Sequence, residues 1–188
     1  MPIQILAFLL DIAVTLVGGA CLLRLYMRWQ RMSFGNPVGR FVQALSDWLV
    51  VPLQRLVPND RRLDVASLLA GWLLKLLQFA ALMLVTGLAN WAALPLLALL
   101  GVAKLAVSVA TAIVIVAAVL SWMGQRTLVS DVFDRLSEPL LAPLRRVVRP
   151  VGGVDLSPLL LVVALQVVGM VLGGVQAQLY GAAVMVGG

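Results

Sequence analysis

Four long apolar runs constrain the fold of this chain more than any other feature of its sequence. They are Ile3–Tyr26, Val65–Leu88, Leu96–Leu120 and Leu156–Leu179. Each has roughly 24 residues, which at 1.5 Å per residue is enough to cross a hydrocarbon core of about 30 Å. Hydrophobic residues make up 62% of the chain and charged residues only 12%, so no separate soluble domain is expected. The sequence predicts an all-α membrane protein with four transmembrane helices.

Basic residues are concentrated in the two long connections between these runs. With its flanks the first connection holds seven of the 14 Lys and Arg residues, and the second holds five, whereas the short turn Ala89–Pro95 holds none. Because basic residues are retained on the cytoplasmic side of a membrane, we expect both long connections in the cytoplasm and both termini outside. We attribute the net charge of +6 to contact with anionic lipid headgroups rather than nucleic acid, because the arginines flank the spans.

The two long connections follow one sequence pattern. A constant offset of 91 aligns five pairs of residues: Ser46 with Ser137, Asp47 with Glu138, Pro52 with Pro143, Arg55 with Arg146, and Asp64 with Asp155. Each copy comprises a span, a charged segment and a second span, so both copies keep the same orientation in the membrane. We therefore predict two parallel-repeat hairpins, residues 1–90 and 91–188.

Apolar residues within each connection recur with a helical period. They lie at i, i+3, i+4, i+7 and i+11, as Val38, Phe41, Val42, Leu45 and Leu49 in the first copy and Val129, Val132, Phe133, Leu136 and Leu140 in the second. The pattern predicts a cytoplasmic amphipathic helix in each copy, in the membrane interface or packed on the ends of the spans. Pro52 and Pro143 are expected to end or bend these helices. Such a helix either covers the bundle or offers a docking surface for lipid or a partner.

Three charged residues lie inside the predicted spans, where each costs about 2.5–3.5 kcal/mol on insertion scales. They are Asp11, Lys75 and Lys104. An offset of 93 aligns Trp29 with Trp122 and places Asp11 opposite Lys104. These two residues are candidates for a buried ion pair or an ion or proton pathway, or Lys104 extends unpaired to the interface. Lys75 aligns with Gln166, and this pair either lines a polar path or forms interhelical hydrogen bonds.

The charged ends of the connections supply a second set of candidates. Arg55, Arg145, Arg146 and Arg149 are candidates for binding anionic lipid or an acidic partner, at about 1 kcal/mol each, or they only set the topology. Asp64 and Asp155 precede the second span of each copy and are predicted to cap it. The small residues of the first and fourth spans permit close helix packing, within the bundle or with a second copy.

These paired motifs resemble the YggT family of bacterial inner-membrane proteins, which is also found in plastids. The first copy carries Asn36-Pro37, Pro52-Leu53-Gln54-Arg55, Pro58, Asp64 and Ser67, and the second carries Pro139, Pro143-Leu144-Arg145-Arg146, Pro150, Gly152-Gly153, Asp155, Ser157 and Pro158. The second copy lacks the Asn-Pro pair, and Gln54 stands where an Arg pair is usual. The resemblance implies a multi-pass protein of a bacterial inner membrane, involved in tolerance of osmotic and other envelope stress, or in cytochrome assembly or membrane and nucleoid organisation in plastid relatives. It implies no family-wide catalytic residues.

No enzymatic activity is expected, because the sequence has no His, no clustered carboxylates and no nucleophile–base pair. Cys21 is the single cysteine, so neither a cofactor nor a metal is expected. We favour a non-enzymatic protein of envelope or osmotic-stress homeostasis that acts through membrane lipids, a membrane-protein partner or a second copy, without nucleic acid. The alternative is a small, oligomeric ion channel or transporter that uses the intramembrane charges.

Overall fold

The computed structural model describes residues 2–57, 64–86, 91–124, 127–146 and 155–186. Its helices are α1 (Pro2–Trp29), α2 (Pro37–Leu56), α3 (Val65–Thr86), α4 (Leu94–Met123), α5 (Leu128–Arg145) and α6 (Ser157–Val186), with a short 3-10 turn at Trp91–Ala93. Within the described ranges there is no strand. Four helices, α1, α3, α4 and α6, are long and apolar enough to cross a membrane. The chain is an all-helical multi-pass membrane protein, as its composition predicts.

Each of the four long helices packs on the next long helix along the chain, and α4 contacts all three others. Helix α1 packs on α3, α3 packs on α4, and α4 packs on α6, while α1 also contacts α4 directly. Helix α2 packs against α1 and α3, and α5 packs against α4 and α6, so both lie at one end of the bundle. We call this the α2/α5 end. Helix α6 packs mainly on α4 and leaves apolar side chains such as Leu159, Val163 and Met170 exposed.

Glycines allow α1 and α4 to approach each other closely. A Cβ on Gly18 would lie 2.9 Å from Leu105 Cδ2, and one on Gly19 would lie 3.5 Å from Val109 Cγ2. Small residues at such crossings are typical of helices that associate in membranes. These glycines of the first span therefore pack within the bundle.

Each short helix begins at a residue that satisfies its first backbone N–H groups. Asn36 Oδ1 accepts a hydrogen bond from the Gly39 backbone N–H at 2.7 Å. At the start of α5, Thr127 Oγ1 accepts from the Ser130 N–H at 3.1 Å, and Ser130 Oγ accepts from the Thr127 N–H at 2.9 Å. This reciprocal pair is a capping box. The caps fix where α2 and α5 start, and both helices continue past their prolines, to Leu56 and Arg145.

The buried face of α2 overlaps the face that apolar periodicity predicts, with Val42 buried and Leu45 and Leu49 half-buried, but is turned away from Phe41. Its buried residues are Gly39, Val42, Ser46 and Val50. Phe41 and Trp48 are 62% and 63% exposed, although Phe41 belongs to the predicted apolar face. The difference arises because α2 turns Ser46 inward to meet an arginine of α1. Apolar side chains of α2 are therefore left outside the bundle.

Candidate functional site

Polar side chains from four helices line one cavity between α1, α3, α4 and α6. Its volume is about 410 Å³, and its polar lining residues are Asp11, Thr15, Lys75, Gln78, Lys104, Ser108 and Gln176. Lys75 and Lys104 are the only lysines in the sequence. We call this cavity the polar cleft. It brings together all three charged residues that the sequence places inside the spans.

Lys75 is held in the polar cleft by two neighbours. Its side chain is 9% exposed, and its Nζ donates a hydrogen bond to Gln78 Oε1 at 2.8 Å and lies 3.6 Å from Asp11 Oδ1. Gln78 Nε2 in turn donates to Asp11 Oδ1 at 2.9 Å. The geometry follows from the spacing of Lys75 and Gln78, which at i and i+3 share one face of α3. The structure thus pairs Asp11 with Lys75, and in the described ranges Asp11 forms no ion pair with Lys104.

Lys104 stands exposed on α4 without a hydrogen bond or ion pair from its side chain to any other described residue. It also lines a second cavity of about 540 Å³ between α4 and α6, together with Ser108, Thr111 and Gln166. Lys75 lines the polar cleft and Gln166 lines this second cavity, so the two aligned residues do not line one cavity together. The two cavities share Lys104 and Ser108. Together they follow α4 from Gly101 to Ile115, about 21 Å at 1.5 Å per residue.

A separate cluster of charges is buried at the α2/α5 end. Asp64, whose side chain is 0% exposed, lies 3.2 Å from Arg28 Nη1 and 3.5 Å from Arg24 Nε. Arg24 also donates to Ser46 Oγ at 3.1 Å and to the carboxylate of Asp47. Arg24 thereby connects α1, α2 and the start of α3.

Asp64 combines a cap with these ion pairs. Its Oδ1 accepts from the Ser67 backbone N–H at 3.2 Å, which caps α3 as predicted, and Gln54 Nε2 lies 3.4 Å from both carboxylate oxygens. Burial alone would raise the pKa of Asp64. Hydrogen bonding from Ser67 and Gln54 and the charge of Arg28 outweigh it and lower the pKa below its usual 3.8. Asp64 therefore remains ionised inside the protein.

The matching aspartate before α6 has a more open environment. Asp155 Oδ1 accepts from the Ser157 backbone N–H at 2.9 Å, and Oδ2 accepts from Arg145 Nε at 2.9 Å. The two side chains are 41% and 50% exposed. Hydrogen bonding from Ser157, and then from Arg145, lowers the pKa of Asp155 below 3.8. Arg145, a candidate for binding lipid or a partner, therefore forms an ion pair with Asp155 within the protein.

The remaining arginine candidates lie apart from these clusters. Arg55 and Arg146 are exposed and have no ion pair with another described residue. Arg149 falls outside the described residues. The roles of Arg24 and Arg28 as ion-pair partners of the buried Asp64 were missed by the sequence analysis, which used both only to set topology. The signal was their spacing of four residues on one face at the end of an apolar run.

The chain matches known proteins along most of its length. The family model described as CCB3/YggT matches residues 3–85 and 96–176. This chain belongs to the CCB3/YggT family. The uncharacterized protein YggT of Escherichia coli K12 is 33% identical over 169 residues, covering 88% of this chain and 87% of that protein.

Two other relatives carry equally general names. An uncharacterized protein of Vibrio alginolyticus, named for its place in the proC 3′ region, is 31% identical over 174 residues, covering 90% of this chain and 94% of its own. The uncharacterized protein PA0392 of Pseudomonas aeruginosa is 28% identical over 154 residues, or 79% of this chain and 78% of its own. No solved structure matches the chain.

Proposed function

We propose that this CCB3/YggT protein is a non-enzymatic membrane protein that passes a small anion along α4, in envelope or osmotic-stress homeostasis. The observation that carries the proposal is the polar cleft, which gathers both lysines of the chain with a single aspartate among four membrane-crossing helices. Ionisable side chains inside spans are costly, and those that face a cavity mark ion or substrate pathways.

The charge balance of the cleft supports an anion rather than a cation. Asp11 lies beside Lys75 and offsets its charge, whereas Lys104 has no carboxylate partner among the described residues. One positive charge therefore remains uncompensated where the two cavities meet. In a low-dielectric surrounding such a charge attracts an anion strongly and repels a cation.

The length of the two cavities supports a path rather than an isolated pocket. They line about 21 Å of α4, whereas a hydrocarbon core is about 30 Å thick. The remaining distance requires α6 to move against α4. Gly169 and Gly173 line the cavity on the α6 side and leave room there, since a Cβ added at Gly173 would lie 3.8 Å from the Lys104 Nζ. Helix α6 packs mainly on α4 and makes few contacts with the other long helices, so such a movement would alter chiefly this one interface.

In this proposal the chain consists of two parallel copies, residues 1–90 and 91–188, in a bacterial inner membrane. The two separate matches of the family model and the constant sequence offset support the copies. The concentration of arginines supports a cytoplasmic α2/α5 end. Helices α2 and α5 are then the amphipathic helices of the interface, with polar residues such as Arg40 and Asp131 exposed.

Chloride efflux from liposomes containing the purified protein tests the proposal. We expect efflux above that of empty liposomes when valinomycin and K⁺ balance the charge. The Lys104→Gln variant should lower it by about tenfold, equivalent to about 1.4 kcal/mol in the barrier. Arg145→Gln removes a positive charge outside the cleft and should leave the flux unchanged. Equal flux for both variants, or chloride flux no higher than that of empty liposomes, would show that Lys104 does not serve an anion path.

A second candidate function is docking of lipid or a partner at the α2/α5 end, and one observation favours it. Phe41 and Trp48 are each more than 60% exposed on α2, and exposed arginines Arg40 and Arg55 belong to the same helix. Aromatic and basic side chains together suit an anionic membrane interface. A folded protein that shows no chloride flux would favour this function.

A further inference from the structure

The two halves of the molecule pack around corresponding apolar clusters. One cluster contains Cys21, Val50 and Ala70, and the other contains Val114, Leu141 and Leu161. Each pair of counterparts is separated by the sequence offsets noted above, 93 for the residues of α1 and α4 and 91 for the others. Positions in one half therefore have identifiable spatial counterparts in the other.

In the first half, an arginine side chain fills a polar pocket beside this cluster. The side chain of Arg24 is 10% exposed, and its guanidinium contacts Ser46, Asp47 and Asp64. Arg28 lies one turn further along α1 and approaches the same Asp64. A serine hydroxyl and two carboxylates thus form a guanidinium-binding set between α1, α2 and α3.

In the second half, the acceptors are retained but the arginines are not. Ser137, Glu138 and Asp155 are the counterparts of Ser46, Asp47 and Asp64, whereas Ala117 and Ser121 are the counterparts of Arg24 and Arg28. A cavity of about 330 Å³ lies at this place. Its lining includes Ala117, Ser121, Ser137 and Asp155, and also Asp134 and Arg145, but not Glu138. The cavity therefore lies where the first half holds its own guanidinium.

The charges around the cavity leave an excess of carboxylate. Arg145 reaches Asp155 from the surface, with half of its side chain exposed, and it is the counterpart of Gln54 rather than of Arg24. Asp134 has no ion pair with any other described residue. Among the described residues that line the cavity, two carboxylates against one arginine give a net charge of −1, which favours a cationic occupant.

We propose that this cavity binds a small organic cation of the alkylguanidinium class, whose head group occupies the place that Arg24 fills in the other half. A volume of about 330 Å³ suits such a molecule, because small-ligand pockets start at about 300 Å³. The planar guanidinium offers donors in a fixed fork that matches a carboxylate and a hydroxyl together. Ala117 provides the space, and Asp155 and Asp134 provide the charge.

Calorimetric titration of the purified full chain with ethylguanidine tests the proposal. We expect saturable binding to the wild type. Asp155→Asn should weaken it at least tenfold, and Ala117→Arg should abolish it because the new side chain supplies its own guanidinium. Ser121→Arg, at an exposed position, serves the same purpose if Ala117→Arg does not fold. Asp131→Asn, on the exposed side of α5, is the control and should bind as the wild type does.

The outcomes separate the proposal from nonspecific binding and from the anion path. Equal affinity of the wild type, Asp155→Asn and the arginine variants would show that ethylguanidine binds elsewhere, and no saturable binding to folded wild type would overturn the proposal. Neither result bears on the polar cleft, since Lys104 does not line this cavity.

Discussion

Replacing Asp64 by Asn is expected to lower the free energy of unfolding by about 3 kcal/mol, the low end of what breaking a buried ion pair costs. The carboxylate is fully buried and is shared by Arg24 and Arg28. Its loss leaves the guanidinium of Arg24, which is 10% exposed, with only the half-exposed Asp47 as a charged partner. Equilibrium unfolding in mixed micelles, followed by helical circular dichroism, measures the difference.

Asp155→Asn is the matched control for this experiment. Its ion pair with Arg145 is about half exposed, so screening by solvent should limit the loss of stability to less than about 1 kcal/mol.

The pH dependence of stability gives a second check on the role of Asp64. Because the folded-state pKa of Asp64 is lowered, its stabilising contribution is present above 3.8 and is lost as the pH falls through the folded pKa. The wild type and Asp64→Asn should therefore converge in strong acid. Equal losses in the two variants at neutral pH would contradict the buried cluster.

Asp11→Leu is expected to destabilise the protein by about 1–3 kcal/mol, because it leaves a buried ammonium without its carboxylate, although Asp11 itself is 62% exposed and its charge is partly screened. Lys75 is 9% exposed and, of the residues that the structure describes, retains only Gln78 as a hydrogen-bond partner in this variant. The double variant Asp11→Leu/Lys75→Met removes both charges and should recover most of the loss. With the wild type and the single variant Lys75→Met, these proteins form a double-mutant cycle, for which we expect a coupling energy above about 1 kcal/mol.

The outcome of this cycle also decides what Asp11 does. Additive effects would mean that Asp11 and Lys75 do not interact in the membrane, and that the pairing seen in the structure is wrong. Strong coupling together with unchanged chloride flux in the double variant would give the pair a structural role and leave Lys104 as the residue that attracts the anion.

The sequence predicted the fold at the level of elements because apolar length decides what crosses a membrane. The predicted run Leu96–Leu120 lies inside α4, Leu94–Met123, and the run Ile3–Tyr26 is matched by α1, Pro2–Trp29. The caps of α3 and α6 were also predictable, since Asp64 and Asp155 each stand directly before an apolar run, which is a local signal, whereas the caps of α2 and α5 were not predicted. The end of α2 at Leu56, beyond Pro52, could not be predicted, because a proline alone does not determine where a helix ends.

Partners within the site could not be deduced from the sequence because they depend on how helices rotate against each other. The offset of 93 places Asp11 and Lys104 at the same depth, but rotation of α3 brings Lys75 and Gln78 to Asp11 instead. Gln78 is a clear omission, and its position three residues after Lys75 was the available signal. Likewise, Ser46 turns inward against the apolar periodicity of α2 because Arg24 requires an acceptor there.

Cysteine accessibility tests most directly whether the cavities along α4 admit water and ions. Cys21 is the single cysteine and is fully buried, so Cys21→Ser provides a cysteine-free background. In this background, Gln166→Cys lines the cavity, while Val167→Cys lies at nearly the same depth on the exposed apolar surface of α6. The account predicts that a membrane-impermeant, anionic methanethiosulfonate reagent modifies Gln166→Cys in proteoliposomes much faster than Val167→Cys. Equal protection of both cysteines, or faster modification of Val167→Cys, would contradict an aqueous path beside Lys104.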